Sequence, residues 1–344
     1  MRHKNQTTIS FIFKAILCAA LLIILIPALS SCTLAKKVVD SVIVEKDKVS
    51  YDTYPPGETD NIKTPDTSSD SKKDNSLNDS KETDAALIKN PEADFKTFTD
   101  SEPDYKKIFE FIDNNINSAD TVLADEMIDF AIRYAEDNTE PFTDKFSAGG
   151  VQDKLWNDYS GETDLNVLKN LEDKQISDLA IETLERKYKI LSVEGFIMPI
   201  VDYKAYEIYK DFMSSQMNNY LSIMSLESEK ISVLDMGITI SLDEYVGRII
   251  LIYQFKDKYP DFKNILEIKN MLSGKLWVYM GGIDNTPVFD FEGNIIEERL
   301  ANFKANAEKY KGTEFGSRLK EYLDLLEKEN YIKTQKVSDY IDSL

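Results

Sequence analysis

The side chains best suited to metal binding and nucleophilic catalysis are confined to the start of this chain. Its two cysteines, Cys18 and Cys32, and its single histidine, His3, all lie within the first 32 residues. A Cys/His zinc site, a Ser-His-Asp triad and a Cys-His nucleophile each need at least one of these side chains. Beyond Cys32 none of them can form, and neither can an internal disulfide. Chemistry there must use carboxylates, Lys, Ser, Thr or Tyr.

Carboxylates are the most abundant of these groups, with 61 Asp and Glu against 41 Lys and Arg. Hydrolysis of a sugar polymer needs two acids about 5–10 Å apart, one of them with a raised pKa. Glu194 and Asp202 flank an apolar segment and are the candidate catalytic pair, and Glu227, Glu229 and Asp235 follow a predicted helix. Because acids are so numerous, solvated or helix-capping carboxylates are the simpler interpretation. We therefore assign no catalytic residue from sequence.

A calcium loop begins in the sequence but is not completed. Asp113, Asn115 and Asn117 occupy its first, third and fifth positions, whereas Ser118 replaces the Gly of position six and Ala124 the Glu of position twelve. A helix end followed by a new helix cap explains the segment better. We expect no metal there.

A second group of oxygen-bearing side chains lies near the end of the chain. Asp284, Asn285 and Asp290 are its main members. Their spacing matches no known cation loop, and Asp and Asn are also typical turn residues. We predict no metal and no cofactor, and keep these three residues as candidate ligand contacts.

Three tyrosines form the aromatic candidate. Tyr203, Tyr206 and Tyr209 recur every three residues on one predicted helix. Such a stripe is suited to line a groove for a peptide or a glycan. Packing in the core is the alternative interpretation of the same pattern.

The N-terminus has the composition of an export signal. Arg2, Lys4 and Lys14 precede an uncharged apolar run, 15–29. The run is shorter than the ~20 residues that a membrane-spanning helix needs, and Pro27 discourages its continuation. An uncleaved membrane anchor remains the alternative.

The residues after this run carry a family resemblance. Leu29-Ser30-Ser31-Cys32 resembles the lipobox of bacterial lipoproteins, in which an aliphatic residue and two small residues precede a cysteine. The resemblance covers about the first 35 residues. It implies that residues 1–31 are a cleaved signal peptide, that a diacylglyceryl group is attached to Cys32, and that the protein faces outward from the cell membrane.

A polar segment separates this site from the rest of the chain. Residues 55–84 are almost entirely Pro, Gly, Ser, Thr, Asn, Asp, Glu and Lys, a composition that cannot bury enough apolar surface to order itself. We predict a disordered acidic tether over 32–100 and a folded extracytoplasmic domain over 101–344. Without its signal the chain has a net charge of −23, which argues against nucleic acid and against electrostatic attraction to an anionic membrane.

The domain is predicted to be mainly α-helical. Apolar residues recur at helical spacing, Gly is scarce, and three helix caps are predicted, at Ser118 or Asp120, at Ser241 and at Thr313. We expect an irregular multi-helix bundle or a short helical-hairpin array. Irregular stretches are predicted over 191–203 and 280–296, with one small β-hairpin near 288–296.

These observations favour a non-enzymatic binding or scaffold protein of the bacterial envelope. Its membrane contact would be the N-terminal lipid, and its partner an envelope protein, a peptide or a cell-wall glycan. A carboxylate-dependent hydrolase of cell-wall polymers is the alternative. A solute-binding component of a transporter fits less well, since strands and helices do not alternate along the sequence.

Overall fold

The computed structural model describes residues 91–344, and this region is mainly helical, as predicted. The strands of this region form only two-stranded antiparallel sheets. The α-helices are α1 (Pro91–Asp100), α2 (Tyr105–Asn115), α3 (Thr121–Ser147), α4 (Val151–Asn157), α5 (Leu165–Leu168), α6 (Lys174–Glu185), α7 (Ser215–Glu229), α8 (Leu242–Lys258), α9 (Ile265–Gly281), α10 (Glu297–Lys309), α11 (Glu314–Lys328) and α12 (Gln335–Asp342). The strands are β1 (Tyr188–Val193), β2 (Phe196–Val201), β3 (Val233–Leu234), β4 (Gly237–Ile238), β5 (Gly282–Ile283) and β6 (Thr286–Pro287); Ile116–Ser118 and Tyr203–Tyr209 are 3₁₀-helices.

Side-chain caps fix where several helices begin. Asp120 accepts a hydrogen bond from the amide of Leu123, Ser241 from Glu244 and Thr313 from Gly316. Each cap satisfies an amide at the helix N-terminus that has no partner within the helix. The predicted caps at Ser241 and Thr313 are therefore confirmed, and of the two candidates Ser118 and Asp120, Asp120 caps α3.

The long helix α3 is the central element of the N-terminal half. Its residues Met127, Ile128 and Ile132 are completely buried. The helix continues through Pro141, which removes one backbone hydrogen bond. Beyond Pro141 it is held by tertiary packing, because Phe142 stacks on Tyr188 with ring centroids 5.2 Å apart.

The folded region begins earlier than predicted. Residues 91–100, assigned from sequence to the tether, form helix α1. Phe95 is only 8% exposed, and its ring centroid lies 5.9 Å from that of Phe111 and 6.0 Å from that of Phe130. This aromatic contact holds α1 against α2 and α3.

The expectation of an irregular stretch over 191–203 is wrong. Strands β1 and β2 pair in antiparallel register from Tyr188↔Val201 to Val193↔Phe196. The two-residue turn at Glu194 and Gly195 has positive φ at both positions, as a tight hairpin of the I′ type requires. The hairpin packs against α3 and carries the chain from α6 to the 3₁₀-helix Tyr203–Tyr209.

The second predicted irregular stretch contains the hairpin β5–β6, a β-bridge within the stretch, and a second bridge from Asn294 to Ile332. The bridge within the stretch joins Phe289 to Ile295 and closes a tight loop at the predicted hairpin position. Gly282 directs the chain from α9 into β5 with φ 78° and ψ 167°, a region reserved for glycine. A Cβ at this position would lie 2.5 Å from the amide nitrogen of Val288, so only glycine fits.

Within residues 91–344, no helix is both long enough and apolar enough to cross a bilayer.

Candidate functional site

An open groove of about 520 Å³ lies where α2 meets the end of α6 and the 3₁₀-helix Tyr203–Tyr209. Aromatic and aliphatic side chains form its floor, and side chains of both charges form its rim. Its lining residues are Tyr105, Lys106, Phe109, Glu110, Asp113, Asn114, Glu185, Lys187, Ile208 and Tyr209. We call this surface the α2 groove.

The helical repeat of α2 explains how one helix supplies so much of the groove. Tyr105, Phe109 and Asp113 are spaced by four residues, so they lie in one row along the helix. Ile208 on the opposite side is 64% exposed and leaves an apolar surface open to the groove. The result is an open groove lined by both apolar and charged side chains.

Two of the acids that line the α2 groove accept hydrogen bonds from tyrosine hydroxyls. The hydroxyl of Tyr105 donates to Glu185 Oε2 at 3.0 Å, and that of Tyr209 donates to Asp113 Oδ1 at 2.7 Å. Burial, followed by the hydrogen bond to the carboxylate, raises the pKa of each tyrosine. Both phenols therefore remain protonated donors at neutral pH. Lys106 Nζ also lies 3.3 Å from Glu185.

The three candidate tyrosines have different surroundings. Tyr209 lines the α2 groove. Tyr206 is completely buried, and its hydroxyl donates to the Ala131 carbonyl of α3 at 3.4 Å. Tyr203 is half-buried and donates to Glu136 Oε1 at 2.7 Å. The stripe therefore serves mainly to pack the 3₁₀-helix on α3, with only its last member in the groove.

Glu194 and Asp202 are not brought together. Glu194 precedes the six-residue strand β2 and Asp202 follows it. At about 3.3 Å per residue the strand separates them by roughly 20 Å, too far for a pair of glycosidase acids. Asp202 Oδ1 is buried without a hydrogen-bond partner among the described residues.

Glu194 instead meets Asp235, which lies at the turn of the hairpin β3–β4. A hydrogen bond with Asp235 and the charge of that residue raise the pKa of Glu194. The turn between β5 and β6 also reaches this point, since the side-chain amide of Asn285 donates to the Asp235 carbonyl at 2.6 Å. The turns of all three hairpins therefore meet here. Both carboxylates are exposed, so they form a contact between like charges at the surface and do not line a cleft.

We expect Asp235→Asn to stabilise the protein at pH 7 by roughly 1–2 °C in Tm. The change removes a like charge beside Glu194, and Asn tolerates the positive φ of 47° at this position. A raised carboxyl pKa means that Glu194 binds its proton more tightly when folded, so stability falls as pH rises through that pKa. The gain should therefore shrink in acid. Thermal unfolding at pH 4 and pH 7 measures this change in Tm. Asp284→Asn is the control, since it removes one negative charge at another exposed turn. An increase in Tm that is the same at both pH values would contradict the contact between Glu194 and Asp235.

The other oxygen-rich candidates are dispersed. Asp284 and Asn285 lie at the exposed turn between β5 and β6. Asp290 closes its own loop, because its Oδ1 accepts from the amide of Asn294 at 2.7 Å. Within residues 91–344, no group of three or more His, Cys, Asp or Glu side chains is arranged to hold a metal ion.

A serine–lysine contact that sequence reasoning missed lies among α7, α8 and α9. Lys275 Nζ donates to Ser232 Oγ at 2.8 Å, although 43 residues separate them. Burial lowers the pKa of Lys275, as a general base requires. However, Glu227 Oε1 lies 2.7 Å from the same ammonium, and Ser232 is only 2% exposed. The contact is a closed ionic network without substrate access.

A second network lies beside Tyr203. Arg133 bonds Glu136 Oε2 and Glu267 Oε2, each at 2.6 Å. Burial, and then the charge of Glu267, raise the pKa of Glu136, although Arg133 opposes them. Both oxygens of Glu136 are already occupied, by Tyr203 and Arg133. This carboxyl group therefore joins α3 to its neighbours and is not free to donate a proton to a substrate.

No protein-family model, curated protein or solved structure matches this chain.

Proposed function

We propose that this chain is a lipid-anchored binding protein on the outer face of a bacterial cell membrane, and that the α2 groove holds a peptide or glycan of the cell wall. The observation that carries the proposal is the groove itself. Its volume of about 520 Å³ lies within the roughly 300–1,000 Å³ of small-ligand sites. It combines an apolar floor with polar rim groups, which is the arrangement that orients a ligand.

The position of the anchor supports the same proposal. The lipobox-like Leu29-Ser30-Ser31-Cys32 would fix the mature chain to the membrane through Cys32. The tether predicted from sequence between Cys32 and the domain lies outside the described residues, and a flexible chain of that length would have an average span of about 40 Å. A domain held at that distance can reach wall polymers above the lipid headgroups.

The hydrolase alternative is not supported by the arrangement of acids. Glu194 and Asp202 are separated by the length of β2. Glu136, which has a raised pKa, has both oxygens hydrogen-bonded. Binding without turnover is therefore the function that the described residues favour.

Ile208→Asn is expected to weaken binding to purified sacculi about tenfold, because it replaces exposed apolar surface of the groove with an amide. Co-sedimentation of the full-length protein in detergent measures this. Leu266→Asn is the matched control, since Leu266 is 68% exposed on α9 and does not line the groove. Absence of sedimentation by the unmodified protein, or equal losses in both variants, would overturn the proposed function.

A further inference from the structure

Lys187 occupies a backbone position that disfavours a side chain. It follows helix α6 and has φ 58°, in the left-handed region where glycine is the usual residue after a helix. Its amide donates to the Leu184 carbonyl at 3.0 Å, and its carbonyl accepts from Asp202 at 2.9 Å. The backbone is therefore fixed from both sides.

The ammonium of Lys187 projects over the groove floor. Its Nζ lies 5.3 Å from the ring centroid of Phe109. Lys187 is half-buried, and within residues 91–344 its Nζ has neither a hydrogen bond nor an ion pair. Two of the acids that line the groove are engaged by other groups, Glu185 by Tyr105 and Lys106, and Asp113 by Tyr209. In a chain with 20 more acids than bases, a half-buried cation that contacts the face of Phe109 but has no carboxylate partner among the described residues is suited to an incoming anion.

Side chains that can accept hydrogen bonds line the same groove from α2. Glu110 and Asn114 are four residues apart, so they lie on one side of the helix. Within the described part of the chain neither side chain has a hydrogen-bond partner, and both line the groove. They offer acceptors for an amine or an amide N–H. The groove thus presents free groups of both signs around an apolar floor.

We infer that the α2 groove takes a peptide, with a carboxylate at Lys187, apolar side chains on Phe109 and Ile208, and an amine or amide N–H directed at Glu110 and Asn114. This inference rests on the proposed function and names the ligand class of the same site. A neutral glycan would leave both Lys187 and Glu110 unpaired, whereas a peptide that carries both charges satisfies them together.

Two fluorescein-labelled tetrapeptides test the inference by fluorescence anisotropy with the full-length protein in detergent. Both have the sequence Gly-Lys-Ala-Leu, one with a free C-terminal carboxylate and one with a C-terminal amide. The unmodified protein is expected to bind the carboxylate form about tenfold more tightly, because the hydrogen bond to Lys187 is charge-assisted. Lys187→Met should remove this preference, Lys187→Arg should retain it, and Glu110→Gln should leave it unchanged while weakening both probes.

Lys187→Gly separates a ligand-binding role from a role in the fold. Glycine removes the side chain and relieves the positive φ, so this variant should have a higher Tm and no preference between the probes. If Lys187 acted only on the end of α6, its loss would lower the Tm and leave the ratio of the two affinities intact. That result would overturn the inference.

The remaining outcomes distinguish this inference from the proposed function. Equal affinities of the unmodified protein for both probes, or a preference retained in Lys187→Met, would contradict the role of Lys187. Failure of both peptides to bind also overturns the inference. If the neutral trisaccharide chitotriose binds instead, the groove is a glycan site, and the proposed function stands without the inference. Wall binding by the groove, which is the part of the proposed function on which this inference rests, is tested separately in the sacculus experiment.

Discussion

Cys32→Ala is expected to move the protein from the membrane fraction to the soluble fraction and to abolish incorporation of labelled palmitate. The reason is that Cys32 supplies the thiol to which the lipobox-like sequence would direct a diacylglyceryl group. Each buried methylene contributes about 0.8 kcal/mol, so two or more acyl chains anchor a protein stably and none leaves it free. The strong negative charge of the chain offers no substitute attraction to anionic lipid.

Cys18→Ala is the matched control for this experiment. Cys18 lies inside the apolar run and would leave with the signal peptide, so its loss should change neither fractionation nor labelling. The intact mass of the mature protein gives a second readout, since cleavage before Cys32 predicts a chain that begins at that residue. Membrane association of Cys32→Ala without label would show that the apolar run is an uncleaved anchor and that the lipoprotein assignment is wrong.

Features that depend on a few neighbouring residues were predictable from sequence. The caps at Asp120, Ser241 and Thr313 need only a short polar side chain and an amide two or three residues later. The mainly helical class follows equally from local periodicity. Such interactions are complete within one turn of helix, so no tertiary information is needed to anticipate them.

The hairpin β1–β2 was missed because its signals are weak. Its turn is Glu194-Gly195, not the Asn-Gly or Asp-Gly that usually marks a two-residue hairpin. Pro199 also argues against a strand, although the structure pairs it with Ile190 in a sheet of only two strands. Packing of the hairpin against α3 decides its conformation.

The α2 groove was predictable only in part. Tyr209 was a sequence candidate, because aromatic spacing is visible in one segment. Lys187, Glu110 and Phe109 were not, since α2 and the end of α6 are more than 70 residues apart in the chain and meet only in the fold. Whether a charged side chain lacks a partner is likewise a tertiary property, which composition cannot reveal.

Glu227→Ala is expected to reduce the free energy of unfolding by about 3–5 kcal/mol. Glu227 Oε1 lies 2.7 Å from Lys275 Nζ and 3.0 Å from Arg248 Nη1, and Oε2 accepts a hydrogen bond from Ser232. Lys275 and Arg248 are only 7% and 5% exposed. Removing the carboxylate therefore leaves two buried cations without this counter-charge, and alanine supplies nothing to replace it.

Urea unfolding of Glu227→Ala and Glu229→Ala at the same pH distinguishes the loss of a buried ion pair from the loss of one negative charge. Glu229 pairs with Lys204 at the surface, where both side chains are largely exposed, so its loss should cost less than about 1 kcal/mol. Burial opposes ionisation of Glu227, yet Lys275, Ser232 and Arg248 together lower its pKa. A lowered carboxyl pKa stabilises the fold above the ordinary value of 4.5, and the effect is lost as the pH falls through the folded pKa. The loss in free energy of unfolding caused by Glu227→Ala should therefore be full at neutral pH and become smaller in strong acid. If the two variants lost the same free energy at every pH, the buried network would contribute no more to stability than the surface pair.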